Sequence, residues 1–359
     1  MLLTALAYAC LMTAPPPATS PIELATSTLL TVHAKFAQPS GDYAELSDGR
    51  RPGEQPAFNW SVGVTLSALN AAAAHDPKYQ APLEAYLARV DRYWNPAGPV
   101  AGFDVLPGPP HPNDRYYDDN AWMVMALAES AVITRNDRWM RRAEESLRYV
   151  MSGESDTLGG GVYWKEREKT SKNTCSNGPS AAAALAIYQS TKNKAYLDFA
   201  IRTYEWTVKH LRDPEDNLYW DNLTVAERRL DRMKWSYNTA LMIKAGWELS
   251  KHPGQSAKRE EALASARAAV THWIDPKTGH MRCEGRFAHL LYEVLLDIER
   301  ESKQDLFDEM TVLRGVAALR DANGLFGKRW DRPAEPGTNR YEILDQMAFV
   351  RIAFHSLKR

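Results

Sequence analysis

Six times in succession the chain sets an amphipathic helical stripe before a second, more buried helix. That alternation restricts the fold more than any single motif. The first stripe, Ile22, Ala25, Leu29, Val32 and Phe36, repeats at three- and four-residue steps, the spacing of one helix face. Its partner, residues 60–74, is almost uniformly apolar, as expected of a helix buried all round. Leu83, Leu87, Val90 and Trp94 then precede a helix beginning near Asp119, and Trp139, Ala143, Leu147 and Val150 precede residues 180–188. Tyr196, Phe199, Thr203 and Trp206 precede 237–247; Leu263, Ala266, Val270 and Trp273 precede 287–298; Leu306, Met310, Leu313 and Ala317 precede 343–354. A repeat of about 50–60 residues holds a helical hairpin and a functional loop. Strand signals are scarce, with short ribbons expected only at 161–164 and 218–220. An open solenoid would need atypical capping repeats with a polar outer face at each end. A closed ring, buried helices inside and amphipathic ones outside, satisfies both helix types. The expectation is an all-α (α/α)6 barrel forming one domain over residues 21–359.

Charge and cysteine usage narrow the function. The 44 Lys and Arg against 45 Asp and Glu leave a formal net charge of −1, which gives no general field for nucleic acid or a charged membrane. Cys10, Cys175 and Cys283 are an odd count without CxxC spacing, which speaks against a disulfide framework or a structural zinc. Residues 1–20 contain a short apolar run before Pro15-Pro16-Pro17, too short to span a bilayer. It resembles a secretory leader without the charged n-region, so a secreted or periplasmic location is expected. Cell-surface attachment through Cys10 fits less well, because Ala7-Tyr8-Ala9 is a poor lipobox. No other stretch could cross a membrane, no metal or organic cofactor is indicated, and a monomer is expected.

In such a ring all six inner helices run the same way, so the loops entering them meet at one mouth. The residues just before those helices are Phe58-Asn59-Trp60, Tyr117-Asp118-Asp119, 173–177, 235–238, 284–286 and 339–342. Carboxylates, amides and aromatics recur there, the set that grips sugar hydroxyls and stacks on sugar faces. Asp118 and Asp119 stand side by side at the start of a buried helix. Adjacent helical residues diverge by about 100°, so their carboxyls can lie roughly 5 Å apart, the separation of a retaining glycosidase. The helix dipole favours one ionised Asp, and its charge raises the pKa of the other. Plainer readings exist for each feature. An Asp before a helix is often only an N-cap. The DDxxD metal motif lacks its third acid, since Trp122 stands four residues after Asp118. Gly159-Gly160-Gly161 lacks the Lys-Ser/Thr of a phosphate-binding loop and reads as a turn. Trp60, Trp164 and Trp235 could serve as core, and Asn177 before Gly178-Pro179 as a turn former. His111 and His289 have no partners at metal spacing, and the acidic stretch 213–221 does not match a calcium loop.

Taken together, Tyr117-Asp118-Asp119 with Trp122, Gly160-Gly161-Val162-Tyr163-Trp164, Lys172-Asn173-Thr174-Cys175-Ser176-Asn177-Gly178-Pro179, Trp235-Ser236-Tyr237-Asn238 and Glu284-Gly285 resemble glycoside hydrolase family 76. These are the endo-α-1,6-mannanases and their fungal cell-wall relatives. The resemblance implies an (α/α)6 fold and a retaining mechanism with Asp118 as nucleophile and Asp119 as acid/base. It places Trp164, Asn177, Asp221, Tyr237 and Asn238 along the substrate groove, and Trp60 and Tyr117 complete the expected substrate-binding set. One departure is Thr239-Ala240, where the family usually shows Gln-Gly; it bears on subsite preference more than on chemistry. The expected activity is endo-cleavage of α-1,6-mannan, a polysaccharide substrate, through a covalent glycosyl-enzyme intermediate. A wall-glycan transglycosidase would share that intermediate. Epimerases of this shape use His at the inner-helix starts, and none is present. A non-catalytic glycan-binding barrel is disfavoured because both aspartates are there.

Overall fold

The computed structural model describes residues 20–357. The leader read into residues 1–20, Ser20 apart, and Cys10 lie outside the described residues. Twelve α-helices occur among the described residues. Six face outward: α1 (Pro21–Phe36), α3 (Gln80–Val90), α5 (Asp137–Met151), α7 (Lys194–Leu211), α9 (Lys258–Trp273) and α11 (Glu309–Ala317). Six line the axis: α2 (Asn59–His75), α4 (Tyr117–Thr134), α6 (Thr174–Thr191), α8 (Ser236–Leu249), α10 (Gly285–Ser302) and α12 (Ile343–His355). Each inner helix packs on the next, and α12 returns to pack on α2, so the ring closes as an (α/α)6 barrel. Among the described residues no helix is long and apolar enough to cross a membrane.

The two helix types differ as their sequences demand. In α5 Trp139, Ala143, Leu147 and Val150 are buried while charged residues cover the other face. In α6 every position from Thr174 to Leu185 is buried. Small residues let inner helices approach. A Cβ on Gly63 would meet Trp122 at 3.4 Å, and one on Gly178 would meet Leu241 at 3.1 Å. Close-packed interiors of this kind tolerate little added volume.

Connections are asymmetric. Long loops (37–58, 91–116, 152–173, 212–235, 274–284 and 318–342) enter the inner helices. Some returns are tight, with Arg135, Lys192 and Lys303 in left-handed conformations at φ 52°, 55° and 59°.

Several local expectations are corrected. The inner helix expected at 180 begins at Thr174 and runs through Pro179. A proline this close to a helix start sacrifices a single backbone bond, to the carbonyl four residues earlier. Trp94 leaves α3 and forms a two-residue strand, Trp94–Asn95, paired with Gly102–Phe103. Within residues 161–164 Val162 alone forms an isolated bridge, with Glu154. The principal sheet is antiparallel and three-stranded: Ser171–Asn173, Trp220–Thr224 and Leu230–Lys234. The Gly159-Gly160-Gly161 turn takes φ 77°, 131° and 79°. It helps to cage a cation: Lys172 Nζ donates to Gly160 O at 2.5 Å and, from the residues before the turn, to Ser155 O and Thr157 O at 2.8 and 2.7 Å.

Candidate active site

The mouth is built by pinning long loops onto inner-helix starts. In four inner helices the fourth residue does this work. Asn120 of α4 accepts the Phe103 N–H at 2.7 Å and donates to Phe103 O at 3.0 Å. Asn177 of α6 treats Val162 alike, at 2.7 and 2.9 Å, and Gln346 of α12 treats Phe326 alike, at 2.8 and 2.9 Å. In α8 the shorter Thr239 accepts the Tyr219 N–H at 3.2 Å. Each pin satisfies backbone groups that burial would otherwise leave unpaired. None of the six inner helices is capped by the side chain of its own N-cap residue (Phe58, Tyr116, Asn173, Trp235, Glu284, Glu342). In four of them the first amide donates instead to a loop carbonyl, Asn59 to Val105 O at 2.9 Å, Tyr117 to Trp164 O at 3.0 Å, Gly285 to Lys328 O at 2.9 Å and Ile343 to Glu45 O at 3.0 Å.

Asp118 and Asp119 occupy the first turn of α4. Both are half-buried, and neither has an ion-pair partner among the described residues. Trp164 Nε1–H donates to Asp118 Oδ2 at 3.1 Å, and Oδ1 is buried without a partner. The Cys175 thiol lies beside the same carboxyl and beside the Tyr237 hydroxyl. Burial pushes the Asp118 pKa up to about 6, against the pull of Cys175, Trp164 and the first helical amides. Burial and then the charge of Asp118 push Asp119 well above the ordinary carboxylate range. Within the pair Asp118 is thus the first to ionise, and Asp119 is the member held protonated to higher pH.

Aromatic rings form the floor. Tyr237 stacks on Phe287 with centroids 4.4 Å apart, Trp60 stacks on Phe287 at 5.8 Å, and Trp235 leans on Phe287 at 5.3 Å. Asp221 is half-buried at the bulge of the sheet's central strand, accepting from Asn222 Nδ2 at 2.9 Å and Asn238 Nδ2 at 3.2 Å, and burial raises its pKa. Arg286 joins Asp345 (2.8 Å) and Glu342 (2.8 Å) on the opposite side. Among the described residues no group of three or more His, Cys, Asp or Glu could hold a metal ion.

The structure brings Asp118, Asp119, Trp60, Trp164, Asp221 and Tyr237 to this mouth. Three expected groove residues sit elsewhere. Tyr117 is buried in the core, stacked on Tyr149 at 5.0 Å, because one residue of helix rotation turns it away from Asp118 and toward α5. Asn177 is wholly buried, its amide consumed by Val162 and Asn173, so it shapes the loop instead of lining the groove. Asn238 is likewise buried and reaches the cleft only through Asp221. Cys175, Phe287 and Arg286 were not singled out as site residues from sequence. Their only signal was position, within a turn of an inner-helix start.

Known proteins share this design. The profile of glycosyl hydrolase family 76 matches residues 39–311. A GH76 α-mannanase of Bacteroides thetaiotaomicron superposes with a TM-score of 0.87 at 25% identity, over 94% of this chain and 95% of that one. An inactive variant of an α-1,6-mannanase of Salegentibacter sp. HEL1_6, with two consecutive aspartates changed to asparagine and α-1,6-mannotriose bound, gives 0.77 at 21% identity, over 94% and 98%. The mannan endo-1,6-alpha-mannosidase DCW1 of Candida glabrata is 25% identical over 201 residues, 54% of this chain and 40% of that protein. The alignments span less than half the length of the curated relatives. A match of that extent, over a barrel of the same build, makes this chain a member of glycosyl hydrolase family 76.

Proposed function

We propose that the chain is a retaining, endo-acting glycoside hydrolase that cleaves α-1,6-mannan, acting as a monomer outside the cytoplasm. The observation that carries the reading is the adjacent carboxyl pair at the start of α4, denied any cation and divided into an early and a late ionising member. The substrate rests on the relatives: mannan endo-1,6-alpha-mannosidases, and the mannotriose-bound aspartate variant.

The chemistry follows from the division. Asp118 Oδ1, the unpartnered oxygen, attacks the anomeric carbon while Trp164 holds Oδ2. Asp119 gives its proton to the glycosidic oxygen, which leaves with the bonding electron pair, and a glycosyl ester forms on Asp118. Asp119, now a carboxylate, takes a proton from water; the water attacks the same carbon and frees Asp118. Two displacements retain the anomeric configuration. The Trp60–Phe287–Tyr237 platform offers apolar faces for sugar rings, and Asp221 accepts hydroxyls.

A sugar acceptor in place of water would turn the same intermediate to transglycosylation. Digestion of linear α-1,6-mannan, with product sizing and NMR of the newborn anomeric centre, tests the reading. Internal cuts with retained α-configuration are expected. Absence of cleavage or inversion sinks it, and longer products with an added acceptor would move the assignment to transfer.

A further inference from the structure

The far mouth of the barrel holds a second cavity, of about 320 Å³, between the C-terminal parts of inner helices. Neither catalytic aspartate lines it. Small residues make the room, Gly63 from α2 and Ala182 and Ala186 from α6. Its inner end is closed by Trp122 and His289, whose rings lie 5.8 Å apart. Trp122 also touches Trp60 at 6.2 Å, so one aromatic layer separates the two mouths. At the rim Val132, Gln189 and Ser190 are exposed, which leaves the cavity open to solvent.

Each acid and each cation lining this cavity already has a partner. Arg351 joins Glu293 at 2.5 Å and Glu129 at 2.9 Å, and Lys244 joins Glu293 at 3.3 Å. His355 meets Asp297 at 2.7 Å, and Lys251 meets Glu248 at 2.8 Å. A charged occupant would be desolvated here without a spare counterion, so the lining favours a neutral one. His289 is the exception to this pairing. It is 1% exposed and neither ring nitrogen has a hydrogen-bond partner of normal geometry; the nearest groups are the backbone of Gly285 and Arg286, one turn back. Burial pushes its pKa down to about 4, so it stands as a neutral imidazole with one donor and one acceptor. A group left unpaired at that depth invites a hydroxyl.

An aromatic wall, an apolar strip (Met125, Leu185) and an amphoteric imidazole together make a lining for a ring that is apolar on one face and hydroxylated at its edge. The volume is at the lower end of ligand cavities, ~300–1,000 Å³, which suits one sugar ring and not a chain. We propose that the far-mouth cavity is a second carbohydrate site, taking a single neutral hexose with a face toward Trp122 and a hydroxyl on His289. It depends on neither turnover nor the choice of mannan as substrate.

The test is titration of the intact chain with D-mannose, followed by ligand-detected NMR and by tryptophan fluorescence. Three variants accompany it. Ala186→Trp fills the cavity from its rim, His289→Leu removes the polar partner while keeping bulk, and Trp164→Ala damages only the catalytic mouth. Saturable binding should survive Trp164→Ala and weaken by about tenfold or more in the other two, with mannan cleavage by Ala186→Trp unchanged. Should His289→Leu fail to fold, Ala186→Trp alone decides. The site is refuted by absence of saturable binding, or by binding lost in Trp164→Ala and unaffected by Ala186→Trp. Displacement of mannose from the cavity by ethylammonium or acetate at lower concentration would refute the neutral class.

Discussion

The two ends of this barrel treat buried carboxylates in opposite ways. At the loop-rich mouth Asp118 and Asp119 share a desolvated turn without a cation, and both are pushed upward. At the far end Glu293 is buried more deeply still, and burial alone would raise it too, but Arg351 and Lys244 outweigh that and hold it well below its usual range. Burial is common to both; the counterion differs. A buried acid with its cation fastens helices together, while one without a cation keeps its proton within reach of neutral pH and is available for chemistry.

That contrast can be broken at either end. The largest effect is expected at the catalytic mouth: Asp119→Asn should lower kcat on α-1,6-mannan by roughly 10²–10⁴-fold, and Asp118→Asn by at least as much. Both should leave the circular dichroism and melting midpoint intact, and normal turnover in either would remove that residue from the mechanism. Next comes Arg351→Ala, which strands Glu293 and Glu129 and should cost about 3–5 kcal/mol in urea unfolding. Turnover per folded molecule should not change; a stability loss below 1 kcal/mol, roughly the worth of a surface pair, would mean the far-end network is not the fastening described.

A finer probe is Trp164→Phe. Its lost hydrogen bond favoured ionised Asp118, so the acid limb of kcat/KM, expected near pH 6 from the Asp118 pKa, should move up by about one unit. The rate should rise as Asp118 ionises and fall at higher pH as Asp119 gives up its proton. An unmoved acid limb would detach Trp164 from that titration. Smallest is Ser20→Ala, which removes the capping box that Ser20 forms with Glu23 at the start of α1. A loss of about 1 kcal/mol is expected, measured by thermal melting; it contrasts an outer helix that has a cap with inner helices that lack one.

Helix periodicity makes the ring legible, and with it the gathering of Asp118 and Tyr237 at one mouth, because each sits at an inner-helix start; Trp164 is reached only through the family resemblance. What escaped depended on long-range pairing. Asn177 looks like a cleft amide until its partner Val162 is known, and that lies a loop away. Tyr117 and Asp118 are neighbours in sequence, but a turn of about 100° per residue sends them to different faces. The strand Leu230–Lys234 is largely exposed and carries no apolar alternation to announce it. The far-end network was equally hidden, since Glu129, Lys244, Glu293 and Arg351 come from four helices that otherwise read as apolar.

The contact of α12 with α2 has a consequence for how the molecule comes apart. A linear stack of hairpins can fray from its ends, shedding one repeat at a time. A hoop has no ends: every stave is braced on both sides, and removing any one exposes two raw flanks at once. The barrel should therefore resist piecemeal loosening and give way in a single cooperative step.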